Sequence, residues 1–317
     1  MIRILLVKTS SLGDVVQNLP VASDIRRHFP EARIDWVVEE PYASLVAMHP
    51  AVRRVIPVAL RRWRQRLLGG ATWKEIGEFR RLSRAEHYDT IIDTQGLVKS
   101  ALISRTAKGR HHGFDAATAR EPLAARFYDV THHVSWAQHA VPRNRSLAAA
   151  ALGYRLDEPV DYGIAARQRT EGAGTRRCVL LHGSSRRDKL WSEAAWIELG
   201  NTLAGRGFRC VLPWGNDEER QRSDRIAAAV SDASVPPMQP LDRVVELLAG
   251  AAAVIGVDTG LTHLAAALGR PVVAIYCGSD PRLNGVYGAP CASNVGGPGV
   301  QPKPEEIAQA LDAAGAL

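Results

Sequence analysis

Three spacings that would point directly to a chemistry are missing from this chain: there is no GxGxxG, no CxxC and no HExxH. Without the glycine fingerprint a nicotinamide oxidoreductase, though it too would be doubly wound, loses its main support. The four cysteines (Cys178, Cys210, Cys277, Cys291) lack metal or redox spacing and read as small buried thiols. The ten histidines include two adjacent pairs, His111-His112 and His132-His133, which cannot share a helix face. No structural metal is expected. Long apolar runs are also absent: Ile4-Leu5-Leu6-Val7 stops at Lys8, too short for a signal core or a membrane span, which places the protein in the cytosol. No helix-turn-helix, finger or RNP pattern supports a nucleic-acid partner.

What is present is size and positive charge. The 317 residues exceed one average core, at ~100–200 residues per domain, so two domains are expected. A net charge of +7 favours an anionic partner and leaves nucleic acid, a phospholipid surface and a phosphorylated substrate open.

Strand and helix alternate through the first half: strand over Ile2–Thr9, helix over Val15–His28, strand over Arg33–Val38, helix over Tyr42–Met48, strands over Val52–Pro57 and Thr90–Asp93, and a helix from near Leu97. Such alternation implies a parallel sheet. The rhythm breaks over Leu60–Arg84. Residues 1–155 form one domain on this reading, and 156–175, with Glu171-Gly172-Ala173-Gly174, form a linker. Residues 176–317 form the second, with strands at Cys178–Leu181, Arg209–Pro213, Ala253–Val257 and Val272–Tyr276, and helices at Ser192–Ala204, Glu218–Val230, Leu241–Ala249 and Thr262–Leu268. A terminal amphipathic helix, Pro304–Ala314, could pack back across the domain junction.

Ligands of open α/β sheets bind beyond the carboxyl ends of the strands. Two segments sit there: Lys8-Thr9-Ser10-Ser11-Leu12-Gly13-Asp14 and Asp258-Thr259-Gly260-Leu261-Thr262-His263-Leu264. One per half implies a cleft between two domains. Asp14, at a helix start, is either an N-cap or an ionised general base. His182-Gly183-Ser184-Ser185 followed by Arg186-Arg187-Asp188-Lys189 makes a plausible phosphate cradle, and the amides of Thr259 and Gly260 a second. Asp258 would repel phosphate, so it pairs with Lys189 or accepts sugar hydroxyls. Glu219, beyond Trp214-Gly215-Asn216, is a capped acidic helix turn or a ribose ligand. Thr94-Gln95-Gly96 delivers another loop at a strand end. The cluster Arg61, Arg62 and Arg64, which Arg120 could extend, is a solvated basic face or a site for a heavily anionic ligand.

Taken together, KTSSLGDVVQNLP, DWVVEEPYA, VIPVALRRWR, DTQGLVKSA, TAREPLA, HGSSRRDKLW, LPWG and VDTGLTHLAAALGRP resemble the inverting lipopolysaccharide heptosyltransferases over nearly the whole chain. The Arg-rich VIPVALRRWR favours the first transferase of that family over the second. The resemblance implies a GT-B fold, two Rossmann-like doubly wound domains facing a central cleft, with the acceptor on the first and the nucleotide sugar on the second. It implies ADP-L-glycero-β-D-manno-heptose as donor and no cofactor or metal. The implied acceptor is Kdo2-lipid A at the cytoplasmic face of the inner membrane, which makes the enzyme peripheral to that membrane. Asp14 then matches the general base and Lys189 the diphosphate partner. Ser184, Ser185, Glu219, Asp258, Thr259, Gly260 and His263 bind donor, and Ser10, Arg61, Arg62, Arg64, Gln95 and Arg120 bind acceptor.

Overall fold

The computed structural model describes residues 1–66, 69–164 and 176–315. The chain divides into two compact units, Met1–Ile164 and Ala165–Leu317. Most of the expected linker, 165–175, lies outside the described residues.

The first unit runs β1 (Arg3–Val7), α1 (Leu12–Val16), α2 (Leu19–His28), β2 (Arg33–Glu39), α3 (Ala43–Ala47), β3 (Val52–Val58), α4 (Leu60–Gln65), α5 (Gly70–Ser83), β4 (His87–Asp93), α6 (Val98–Ser104), β5 (Lys108–Phe114), β6 (Val130–His132) and α7 (Ala140–Leu152). Its six parallel strands lie in the order β3-β2-β1-β4-β5-β6. The apolar run of β1 is buried on both faces, as a central parallel strand requires.

Three expectations are corrected here. The helix expected over Val15–His28 is two helices, broken at Gln17-Asn18, with Pro20 in the first turn of α2, where its missing N–H costs nothing. The region Leu60–Arg84 is two helices, α4 and α5, packed through Trp63 and Phe79, whose rings meet edge to face at 5.9 Å. Strands β5 and β6 were not legible, because KGRHHGF carries little apolar pattern and VTH is three residues long.

The second unit runs β7 (Arg176–Leu181), α8 (Glu193–Gly205), β8 (Phe208–Val211), α9 (Asp217–Ala228), α10 (Leu241–Ala249), β9 (Ala253–Val257), α11 (Gly260–Ala267), β10 (Val272–Tyr276), α12 (Pro281–Asn284), β11 (Ala292–Gly296) and α13 (Pro304–Ala313). Its parallel order is β11-β10-β9-β7-β8. Its core centres on Trp191, Trp196, Leu199 and Phe208. Helix α13 packs on α8 and against β10 and β11 of its own unit.

Strand order places the chemistry. In the first sheet the order reverses between β1 and β4; in the second, between β7 and β9. These topological switch points are where loops diverge and leave room for a ligand. The loops leaving those four strands carry Lys8–Asp14, Thr94–Gly96, His182–Lys189 and Asp258–Gly260.

Candidate active site

In the first unit, Ser11 is the N-cap of α1 and Asp14 stands three residues on, so the expected N-cap role for Asp14 is corrected to the carboxylate of a capping box. Asp14 Oδ2 accepts the Ser11 backbone N–H (2.7 Å) and hydroxyl (2.9 Å). Lys8, not singled out in the sequence, is 6% exposed. Its ammonium donates to the Thr94 carbonyl (2.9 Å) and Asn144 Oδ1 (3.5 Å). Burial lowers its pKa; the charges of Asp14 and Asp93 oppose that, and those of Arg143 and Arg120 add to it.

Of Ser10 and Gln95, both expected to bind acceptor, Gln95 spends its side-chain amide on the β1 loop, including the Ser10 backbone. The Gln95 amide oxygen accepts from Thr9 N (2.8 Å), Thr9 Oγ1 (3.1 Å) and Ser10 N (3.3 Å), and its NH₂ donates to the Ser10 carbonyl. The pair ties the β1 loop to the β4 loop. Gly96 sits at φ +67°, and a Cβ there would come within 3.1 Å of the Phe114 ring and 3.2 Å of Arg120 N, so the loop closes only around glycine.

The arginines of α4 separate by partner. Arg62 forks onto Glu40 (3.1 and 3.0 Å) and reaches Glu75 (2.8 Å), so its charge is shared between two partly exposed carboxylates. Glu75 also accepts from Trp63 Nε1 (2.8 Å), which fixes α4 on α5. Arg61 and Arg64 are exposed. The Arg61 charge faces Glu39, whose pKa burial raises. Arg120 is exposed beside Gly96.

In the second unit, Asp258 is 7% exposed and meets Lys189 Nζ at 2.7 Å, His263 Nε2 at 3.5 Å and the Ser279 hydroxyl. Burial alone would raise its pKa. The hydrogen bonds from His263, Lys189 and Ser279 outweigh that and hold the carboxyl well below its usual range. The pairing with Lys189 expected from sequence is therefore present, and Ser279 is an addition that only the β10 loop's position reveals. Ser184 Oγ lies 3.5 Å from the Asp258 carbonyl oxygen, and Ser185 is exposed. Thr259 caps α11, so the first amides of that helix, beginning with Gly260, project from its N-terminus. Glu219 accepts from Gly215 N (2.8 Å) while Asn216 caps α9. A Cβ on Gly183 would lie 2.6 Å from the Glu219 carboxyl carbon, so glycine there lets the acid approach the β7 loop. His182 leaves the cradle: its ring bonds Ser223 Oγ (2.7 Å), and burial lowers its pKa to about 4.

The glycosyltransferase family 9 (heptosyltransferase) pattern matches residues 76–307. The chain belongs to that family. Lipopolysaccharide heptosyltransferase 1 of Escherichia coli K12 is 47% identical over 291 residues, covering 90% of this chain and 91% of its own. The protein of the same name from Pseudomonas aeruginosa is 47% identical over 294 residues, covering 90% and 81%. The E. coli heptosyltransferase WaaC solved with ADP superposes with a TM-score of 0.92 at 42% identity, covering 99% of this chain and 100% of that one. WaaC solved with ADP-2-deoxy-2-fluoro heptose gives 0.87 at 41%, covering 98% and 99%. This family 9 glycosyltransferase is thus built of two Rossmann-like units of the GT-B class, and the oxidoreductase and nucleic-acid readings fall away.

Proposed function

We propose that this heptosyltransferase moves L-glycero-D-manno-heptose from ADP-L-glycero-β-D-manno-heptose to a Kdo hydroxyl of Kdo2-lipid A, in one displacement with inversion. The observation that carries the reading is the state of Asp14: one carboxylate oxygen holds the two Ser11 donors, and no cation pairs with the other among the described residues. Such a carboxylate can accept the proton of the Kdo hydroxyl as that oxygen bonds to the anomeric carbon. The bond from the anomeric carbon to the diphosphate oxygen breaks in the same step, and ADP departs. Lys189 and the amides of Thr259 and Gly260 balance the charge growing on ADP. Ser184, Ser185 and His263 line that cradle, and Glu219 takes the ribose hydroxyls. Those charges meet the diphosphate's need without a metal. Likeness to the two WaaC complexes supports the donor, and the proteins named lipopolysaccharide heptosyltransferase 1 support the acceptor.

Arg61, Arg64 and Arg120 receive the phosphates and carboxylates of the acceptor, with Ser10 and Gln95 shaping the loop beneath it. Among the described residues no helix is long and apolar enough to cross a membrane. The enzyme works at the cytoplasmic face of the inner membrane by surface association through this basic region. ADP release measured with purified Kdo2-lipid A and with an already heptosylated acceptor tests the reading. Turnover confined to Kdo2-lipid A is expected, and turnover confined to the heptosylated acceptor overturns it.

A further inference from the structure

Helix α5 has an outward side that the packing of the first unit does not use. At about 3.6 residues per turn, Thr72, Ile76, Phe79 and Ser83 share the side turned to the core, where Ile76 and Phe79 belong to one apolar cluster with Trp63 of α4 and Ile103 of α6. The opposite side carries Trp73, Gly77, Arg80 and, just past the last turn, Arg84 along one ridge, with Lys74, Glu78 and Arg81 along the next. Trp73 is 61% exposed. Arg81 reaches Glu78 at 3.6 Å, but both side chains stand mostly in solvent, where such a pair neutralises little. Arg84 Nε donates to the Thr106 carbonyl (3.1 Å), an uncharged partner. Four cations and a single acid thus share one side of the helix with an indole.

Helix α6 covers the same face of the sheet and is tied to the end of α5, where the Thr106 hydroxyl donates to Ser83 Oγ (3.0 Å). Its own outward side shows Leu102, 51% exposed. The two outward sides therefore offer large apolar groups set among cations. A basic face that serves only solubility gains nothing from an exposed indole. At a lipid headgroup boundary both kinds of group are satisfied: the ring sits among the headgroups, and the Lys and Arg stems reach past it to the phosphates. The net charge of +7 complements an anionic leaflet. The apolar side of α5 is already spent on the core, so the helix cannot sink into lipid. Contact through one ring and surface charge is reversible and salt-sensitive.

We infer that the outward side of α5, with Leu102 of α6, is the surface by which this chain docks on an anionic phospholipid bilayer: Trp73 and Leu102 enter the headgroup boundary, and Lys74, Arg80, Arg81 and Arg84 meet the lipid phosphates. The inference rests on the membrane-surface reading above and locates the contact on a helix face separate from the α4 arginines and from the loops that carry Asp14 and Gln95. Docking there holds the enzyme at its lipid acceptor without taking part in the transfer.

The test is co-sedimentation of the full chain with vesicles free of any sugar lipid, made of phosphatidylcholine alone or of phosphatidylcholine and phosphatidylglycerol at about 2:1. The native chain should bind the anionic vesicles and not the neutral ones, and salt should weaken that binding. The triple variant Lys74→Gln, Arg80→Gln, Arg81→Gln should lower partition by roughly 100-fold, about fivefold for each charge removed from an anionic surface, and Trp73→Ala should lower it several-fold. Glu78→Gln should raise it, a gain that misfolding cannot imitate. Transfer to soluble, deacylated Kdo2-lipid A should stay native in every variant, since none of these residues meets donor or acceptor. Native partition in the triple variant overturns the inference. Equal binding to neutral vesicles does so too, as does tighter binding to duplex DNA than to anionic vesicles at one salt concentration. A raised KM for the soluble acceptor also overturns it, by making the face part of the acceptor site. If the native enzyme transfers to no Kdo acceptor, the proposed function fails, while the vesicle measurements still decide the docking face.

Discussion

Asp14 and Asp258 occupy matching places, each in a loop that leaves a central parallel strand at a switch point, yet they are held in opposite ways. Asp258 is buried against a lysine, a histidine and a hydroxyl. Asp14 takes two uncharged donors on one oxygen, and among the described residues no cation pairs with the other. A carboxylate pinned by cations is a poor proton acceptor, because taking a proton forfeits those pairs. One held by neutral donors on a single oxygen loses no ion pair on taking a proton, which is the property the proposed base requires. Near-equal loop positions thus hold their carboxylates differently, decided by what the neighbouring loops supply.

The sharpest way to break the contrast is Asp14→Asn. The amide oxygen can still accept from Ser11, so the helix start should hold. Single-turnover kcat should fall by roughly 10²–10⁴-fold with donor and acceptor affinities intact; turnover close to native would remove Asp14 as base.

Next comes the pinned carboxylate. Lys189→Ala should weaken ADP and ADP-heptose alike and slow transfer, by about 10–100-fold in kcat/KM. If Asp258 acts mainly through Lys189, adding Asp258→Asn should cost little more than threefold beyond that. Additive losses in this double-mutant cycle would mean that Asp258 meets the donor on its own account.

A smaller effect separates the arginines. Arg64→Gln should raise the acceptor KM several-fold and flatten its salt dependence, whereas Arg62→Gln should leave KM alone and lower Tm by only about 2 °C, since its pairs are solvent-exposed. Equal KM effects would return Arg62 to the acceptor site.

The smallest effect is a difference in acid sensitivity between the units. Burial lowers His49, His111 and His112 in the first unit, and His182 in the second, to about 4. Each is neutral when folded and binds a proton near pH 6.5 when unfolded. Stability from these groups is therefore full above pH 6.5 and is lost as pH falls from 6.5 toward 4. Calorimetry should show Tm dropping on the order of 5 °C between pH 7 and 5, with the first unit melting ahead. Simultaneous loss of both units at every pH would contradict that asymmetry.

The legible parts of this protein are those with a short-range cause. Apolar runs such as Ala253–Val257 and Val272–Tyr276 were readable as buried strands, residue for residue. The loops after β1, β7 and β9 were legible because polar, glycine-bearing segments follow such strands directly. Strand β5 was not: its two histidines and two glycines disguise it, although Gly113 is needed under the Tyr128 ring. The partners of Arg62 were not legible, because Glu40 and Glu75 lie on other elements.

By itself the sequence determined two parallel α/β units, the loops that carry the chemistry and, through motif resemblance, the family. Those depend on periodicity and on residue types close together in the chain. Tertiary structure decided which side chains are spent and which are free. Gln95 closes on Ser10, Arg62 is taken by two acids, Lys189 and Ser279 pin Asp258, and Asp14 pairs with no cation among the described residues. Apart from the local Ser11–Asp14 contact, such outcomes turn on partners 13 to 85 positions distant, which only the tertiary fold brings within the ~3 Å reach of a hydrogen bond.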